Sequence, residues 1–85
     1  MMLTYTYEDE NEISPIPGAT IDFAIEYTPK RGRYATIENI TPISITTETV
    51  RDRYPNGREL FALRDFAWNN IRILNAIQEE IVRKE

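Results

Sequence analysis

Three basic side chains at the tip of a predicted β-hairpin could bind phosphate. Lys30, Arg31 and Arg33 surround a glycine, and Tyr27 and Tyr34 lie on either side of them. Cations hold phosphate oxygens and aromatic rings stack on bases, so the cluster is a candidate site for nucleic acid or a phosphorylated small ligand. The alternative is a hydrated turn whose charges prevent edge-to-edge aggregation. The net charge of −4 favours the second interpretation.

An acidic run, Glu8-Asp9-Glu10-Asn11-Glu12, is a second candidate for chemistry. Carboxylates could bind a divalent cation, but the run lacks the D-x-[DN]-x-[DN]-G spacing of a calcium loop. We expect a solvated loop and no metal site.

The residue types that are absent exclude several classes of enzyme. The chain has no histidine and no cysteine, which excludes a thiolate nucleophile, a disulfide, a Ser-His-Asp triad and an ordinary zinc site. Its three glycines are isolated and cannot form a dinucleotide- or phosphate-binding loop. No activating base is identifiable for Ser14 or Ser44. We therefore expect a protein that is not an enzyme and needs no cofactor.

Alternating apolar residues predict three β-strands, at about 2–8, 19–28 and 33–41. Leu3, Tyr5 and Tyr7 share one face of the first strand. The third strand is out of phase at Ile40, and a bulge near Asn39 would return Ile40 to the apolar face. Pro42 is expected to end this strand or to mark a sheet edge.

Residues 43–54 are ambiguous. Ile43 and Ile45 alternate as in a short fourth strand, whereas Val50 and Tyr54 are one helical turn apart. We favour a short helix from about Thr47 to Tyr54 that ends before Pro55.

Parts of the predicted hairpin have a counterpart in a known family. The residues concerned are Gly18-Ala19-Thr20-Ile21-Asp22-Phe23, Pro29-Lys30-Arg31-Gly32, Ala35 and Asn39-Ile40. Together they resemble the closing hairpin of cold-shock domains. The resemblance implies a shared way of forming a hairpin and carries over no functional residue.

A long amphipathic helix is predicted over about 57–84. Asn56 and Glu59 form a capping-box pattern, and an apolar stripe that includes Leu63, Ile71 and Leu74 then recurs at helical spacing. Asn70 lies within this stripe as a core amide or as a residue that fixes pairing register. A helix of this length extends about 40 Å, longer than the roughly 30 Å diameter of a compact 85-residue domain.

The excess helix length predicts a binding surface. Phe61 and Trp68 lie on one line away from the main stripe, Ile73 lies on the opposite flank, and Ile77 and Ile81 keep the distal end apolar. We expect these five residues to contact a partner protein or a second copy.

The sequence thus predicts one α+β domain over 1–85, in which a three-stranded antiparallel meander packs on one long C-terminal helix. The favoured function is that of a small cytoplasmic regulator, inhibitor or adaptor that binds a protein partner and forms a homo-oligomer. Nucleic acid or a nucleotide remains the alternative partner, and no membrane segment is expected.

Overall fold

The computed structural model describes residues 1–30 and 34–84, and its architecture is α+β. Three strands, β1 (Met2–Glu8), β2 (Thr20–Thr28) and β3 (Thr36–Thr46), precede two helices, α1 (Gly57–Trp68) and α2 (Ile71–Lys84). The sheet is antiparallel with the order β1-β2-β3. The predicted fold class and three-stranded meander are confirmed.

One face of the sheet forms the core. β2 is the central strand, and every second residue of it, from Ile21 to Tyr27, is buried. Both helices pack on this face, with α1 against β3 and α2 against β1. The opposite face carries mainly threonine and charged side chains, as expected for a sheet that is covered on one side.

The third strand continues through Pro42 because it contains two irregularities. The register shifts between the pairs Glu26–Asn39 and Tyr27–Ile37, and again between Asp22–Ser44 and Phe23–Pro42. The first shift leaves Glu38 as an extra residue and buries Ile40, which confirms the bulge predicted near Asn39. The second makes room for Pro42 inside β3, so Pro42 does not end the strand but lies in an edge strand, which is the second of the two outcomes predicted for it.

The segment after β3 is a turn, and the short helix predicted over Thr47–Tyr54 is wrong. The backbone N–H of Thr47 donates to Val50 O at 2.7 Å, and Val50 N–H donates to Thr47 Oγ1 at 3.2 Å. In a helix the N–H of the later residue donates to the C=O of the earlier one, so the bond from Thr47 N–H to Val50 O runs in the wrong direction for a helix. Arg53 then exchanges two backbone hydrogen bonds with Ile45, at 2.9 and 3.1 Å, along the outer side of β3.

The predicted single long helix is two helices, separated at Asn69 and Asn70. Asn69 ends α1 by donating from its backbone and from Nδ2 to Asp65 O, at 3.1 and 2.8 Å. Asn70 begins α2, because its Oδ1 accepts from the N–H groups of Arg72 and Ile73 at 3.0 and 3.3 Å. Asn70 is therefore an N-cap and not a core amide or a register residue.

The break changes which apolar residues face the sheet. Ile71, expected in the buried stripe, is 67% exposed, whereas Ile73 is 1% exposed. Ile77 and Ile81 are also buried in the core, so the prediction that Ile73, Ile77 and Ile81 form an exposed partner interface is wrong. At 12 and 14 residues the helices are about 18 and 21 Å long, each well below the 42 Å long axis of the molecule.

Within residues 1–30 and 34–84, neither helix has the length and apolar character needed to cross a membrane.

Candidate binding surface

Two large aromatic side chains lie on the side of α1 that faces away from the sheet. Phe61 is 76% exposed and Trp68 is 38% exposed, while Leu63 and Ala67 on the opposite side are fully buried. Seven residues are nearly two helical turns, which puts both aromatic residues on one line about 10 Å apart along the axis. Their exposure agrees with the sequence-based expectation.

Three arginines accompany the aromatic residues. Arg58 precedes Phe61 by three residues, Arg64 lies between Phe61 and Trp68, and Arg72 follows Trp68 by four residues, just beyond the helix break. All three are exposed, and among the described residues none of them forms an ion pair. We call the set Arg58, Phe61, Arg64, Trp68 and Arg72 the α1 face.

The α1 face is locally basic on an acidic protein. The nearby acid is Asp65, and its carboxylate already accepts a hydrogen bond from Asn69 Nδ2 at 3.1 Å. The face therefore combines apolar aromatic area with an excess of positive charge, although the whole chain has a net charge of −4.

A capping box fixes the start of α1. Asn56 Oδ1 accepts from Glu59 N–H at 2.9 Å, and Asn56 N–H donates to Glu59 Oε1 at 3.1 Å. The structure thereby confirms the predicted cap.

An ion pair ties this cap to the sheet. The Arg53 guanidinium donates two hydrogen bonds to the Glu59 carboxylate, both at 2.7 Å. These bonds, with that from Asn56, lower the pKa of Glu59 to about 2. Because the backbone of Arg53 is bonded to Ile45 in β3, the α1 face has a fixed position relative to the sheet.

Of the two tyrosines predicted to accompany the basic hairpin tip, one is accessible and the other is not. The ring of Tyr27 is buried in the core, so the prediction that Tyr27 contacts a ligand is wrong. Lys30 and Tyr34 are exposed, and Arg31 and Arg33 lie outside the described residues.

A groove of about 490 Å³ lies beside Tyr34 and is lined by Tyr34, Asn75, Gln78, Glu79, Val82 and Arg83. Two of its polar side chains have partners within the chain. The Gln78 amide donates to Ala35 O at 2.8 Å and accepts from Ala35 N–H at 3.0 Å, and Arg83 donates to Glu80 at 3.2 Å. The Gln78 bonds attach α2 to the residue before β3, and we assign the groove a structural role.

Asp9 is buried, contrary to the expectation of a fully solvated acidic loop. Its carboxylate accepts hydrogen bonds from Tyr7 Oη at 3.0 Å, and from the N–H groups of Ile13, Ser14 and Gly18 at 3.0–3.2 Å. Burial opposes ionisation, but the bonds from Gly18, Ser14 and Tyr7 outweigh it and lower the pKa of Asp9. A signal for the burial of Asp9 was available in the turn sequence that follows the acidic run, Ser14-Pro15-Ile16-Pro17-Gly18. The N–H groups of such a turn need an acceptor, and a nearby carboxylate can provide it.

The acidic run does not form a metal site in the described part of the chain. Across residues 1–30 and 34–84, no three acidic side chains converge closely enough to hold a cation.

Comparison of the chain with protein-family models, with curated proteins and with solved structures gave no match in any of the three.

Proposed function

We propose that this protein is a small non-catalytic adaptor or regulator that binds another protein through the α1 face. The observation that supports this most strongly is the 76% exposure of Phe61, on a helix side that neither the sheet nor α2 covers. The accessible rings of Phe61 and Trp68 keep apolar area in contact with water, and a bound partner would bury this area. Trp, Phe and Arg are also the residues enriched at the centres of protein interfaces.

The charge of the face selects the chemistry of the partner. Arg58 and Arg64 flank Phe61 along α1, Arg72 lies at the start of α2, and Asp65 is already hydrogen-bonded. An acidic segment with apolar side chains would pair with the arginines and cover the rings. An extended or helical peptide with this composition is the expected ligand.

A second copy of the chain fits this face poorly. In a two-fold symmetric contact through α1, both copies would bring the same excess of arginines over acidic residues into the interface. Like charges across an interface disfavour association. We therefore assign the α1 face to a foreign partner.

Single-stranded nucleic acid also combines negative charge with stacking bases, but the described surface favours a protein. The α1 face is the convex side of one helix, whereas proteins that bind single strands follow the backbone in a basic groove. The remainder of the chain is strongly acidic and would repel a polyanion.

The test is selection from a random peptide display library with the wild-type protein. Binders should be apolar and acidic, and should lose binding to Phe61→Ala and to Arg64→Glu. Tyr34→Ala is the matched control, since Tyr34 is an equally exposed aromatic residue away from the α1 face. This control should bind the selected peptides as the wild type does.

Three results would overturn the proposal: an absence of enriched sequences, enriched sequences that bind the Phe61→Ala variant unchanged, or preferential binding of short DNA strands. In the last case log K would fall against log salt with a slope of about −2 for three phosphate contacts.

A further inference from the structure

Among residues 1–30 and 34–84, no backbone group pairs with the outer edge of β1. Met1 and Tyr27 exchange two backbone hydrogen bonds at 2.9 Å, and Asp9 N–H donates to Ala19 O at 3.0 Å. Bonding alternates along an antiparallel ladder, so the odd-numbered residues of β1 face β2. Met2, Thr4 and Thr6 therefore direct their N–H and C=O groups to the open edge.

The two edges of the sheet differ in their protection. β3 contains Pro42 and two register shifts, and Arg53 bonds to its outer side at Ile45. β1 has an unbroken register with β2 over all seven residues, and contains neither proline nor a basic residue. Bulges, prolines and lysines are the usual features that prevent an edge from pairing, and β1 lacks them.

The apolar side of the sheet continues to this unprotected edge. Tyr5 and Tyr7 of β1 are half-buried, whereas their partners Phe23 and Ile21 on β2 are fully buried. The rings of Tyr5 and Tyr7 thus carry accessible apolar area beside the open backbone groups. A further strand would cover both at once.

We infer that β1 pairs antiparallel with β1 of a second copy, centred on Tyr5, to form a six-stranded sheet. In this register Thr4 lies opposite Thr6 of the second copy, Leu3 lies opposite Tyr7, and Met2 lies opposite Glu8. None of these pairs places two charged side chains opposite each other, so the strand can pair with itself without repulsion between like charges. The two Glu8 residues lie at opposite ends of the pair, about 20 Å apart.

The dimer leaves the α1 face free. α1 packs mainly against β3, although the ring of Phe66 also contacts Tyr7 in β1, with 5.7 Å between the ring centroids. Phe61 and Trp68 lie on the side of α1 that faces away from the sheet, so pairing along the β1 edge does not cover them. Such a protein would present two equivalent surfaces and could bind a partner with repeated acidic segments more tightly than one copy could. The pairing of β1 does not depend on the proposed function.

The first test compares the solution mass of the wild type with that of Thr4→Pro, by sedimentation over a range of concentration. The wild type should reach twice the 10.0 kDa mass of the chain. Proline removes an N–H that points away from β2, so the fold is retained, and dimerisation should weaken about tenfold or more. Thr4→Lys should act in the same direction, and Thr41→Lys, on the same row of the sheet but on β3, should leave the dimer intact.

The second test exploits the absence of cysteine from the chain. Tyr5→Cys should form a disulfide-linked dimer on mild oxidation, because Tyr5 would face its own counterpart with Cα atoms about 4.5 Å apart. Thr4→Cys should not crosslink, since its two copies would be offset by two residues, about 8 Å apart.

A wild-type protein that stays monomeric at millimolar concentration would overturn the inference, as would a dimer that Thr4→Pro and Thr4→Lys leave unchanged. Crosslinking of Thr4→Cys in place of Tyr5→Cys would overturn the proposed register. Phe61→Ala should not alter the solution mass. The solution mass therefore tests the pairing of β1, and peptide binding tests the α1 face, so that one can fail without the other.

Discussion

At the scale of single residues, the pair Arg53–Glu59 connects three parts of the molecule. Glu59 closes the capping box of α1, and Arg53 holds Glu59 through two bonds of 2.7 Å while its own backbone extends the sheet. The bonds that position the α1 face also lower the pKa of Glu59.

This pair predicts an acid-dependent loss of stability. The pKa of Glu59 is about 2, below the usual 4.5, so its stabilising contribution is complete above about pH 4.5 and disappears as the pH falls towards 2. Glu59→Gln should lower the melting temperature at pH 7, and its curve should meet that of the wild type near pH 2. Glu79→Gln, an exposed glutamate of α2, is the control and should follow the wild type throughout. A constant difference between Glu59→Gln and wild type from pH 7 to pH 2 would contradict this assignment.

The opposite burial of Ile77 and Phe61 gives a second prediction at this scale. Ile77 is fully buried, so Ile77→Ala should reduce the free energy of unfolding by about 2–5 kcal/mol. Phe61→Ala removes an exposed ring and should change it by no more than about 0.5 kcal/mol. Urea denaturation measures both values. Equal losses would mean that Phe61 belongs to the core and is not available to a partner.

At the scale of elements, the break between α1 and α2 determines which surface is buried. The side chains of Asn69 and Asn70 satisfy backbone groups at the two helix ends, and this allows Ile73 to enter the core in place of Ile71. Two shorter helices then cover the sheet in place of one straight helix.

Removal of the second cap should be measurable. Asn70→Ala deletes the acceptor for Arg72 N–H and Ile73 N–H and should cost about 1 kcal/mol of unfolding free energy. Asn75→Ala, at an exposed position within α2, is the matched control and should be neutral or slightly stabilising. Equal effects of the two substitutions would show that Asn70 does not cap α2.

The strands and the start of α1 were predictable from sequence because their signals are local. Three of these signals depend only on near neighbours along the chain. They are the period of two in β1 and β2, the capping box at Asn56 and the break in the apolar alternation at Ile40. The break at Asn69 was not predictable from periodicity, since apolar spacing alone placed Ile71 inside and Ile73 outside. The turn after Thr47 and the burial of Asp9 depend on particular side-chain hydrogen bonds.

The same limit applies to the candidate surface. Phe61 and Trp68 were identified because their angular position on a helix follows from their spacing. Ile73 was misplaced because the phase of α2 is set by its own cap. Ile77 and Ile81 were misplaced because one straight helix was expected to be longer than the domain. The arginines beside Phe61 were not recognised as part of the surface, although their spacing of three and four residues was the available signal.

At the scale of the whole molecule, two surfaces lie at opposite edges of one sheet. The α1 face lies over the β3 side and is basic and aromatic, whereas the β1 edge is nearly uncharged and presents backbone groups. The different chemistry of the two surfaces would allow the protein to bind a partner and a second copy at the same time.

The most direct test of the α1 face uses Trp68, the one tryptophan in the chain, as a fluorescent reporter. The wild-type protein is titrated with a designed amphipathic helix carrying leucines on one side and glutamates on the other, and with the same peptide carrying lysines. The glutamate peptide should shift the emission of Trp68 to shorter wavelength, the binding should weaken with added salt, and Phe61→Ala should reduce it where Tyr34→Ala does not. An unchanged emission with the glutamate peptide, or equal binding of the lysine peptide, would contradict the claim that this face recognises an acidic partner.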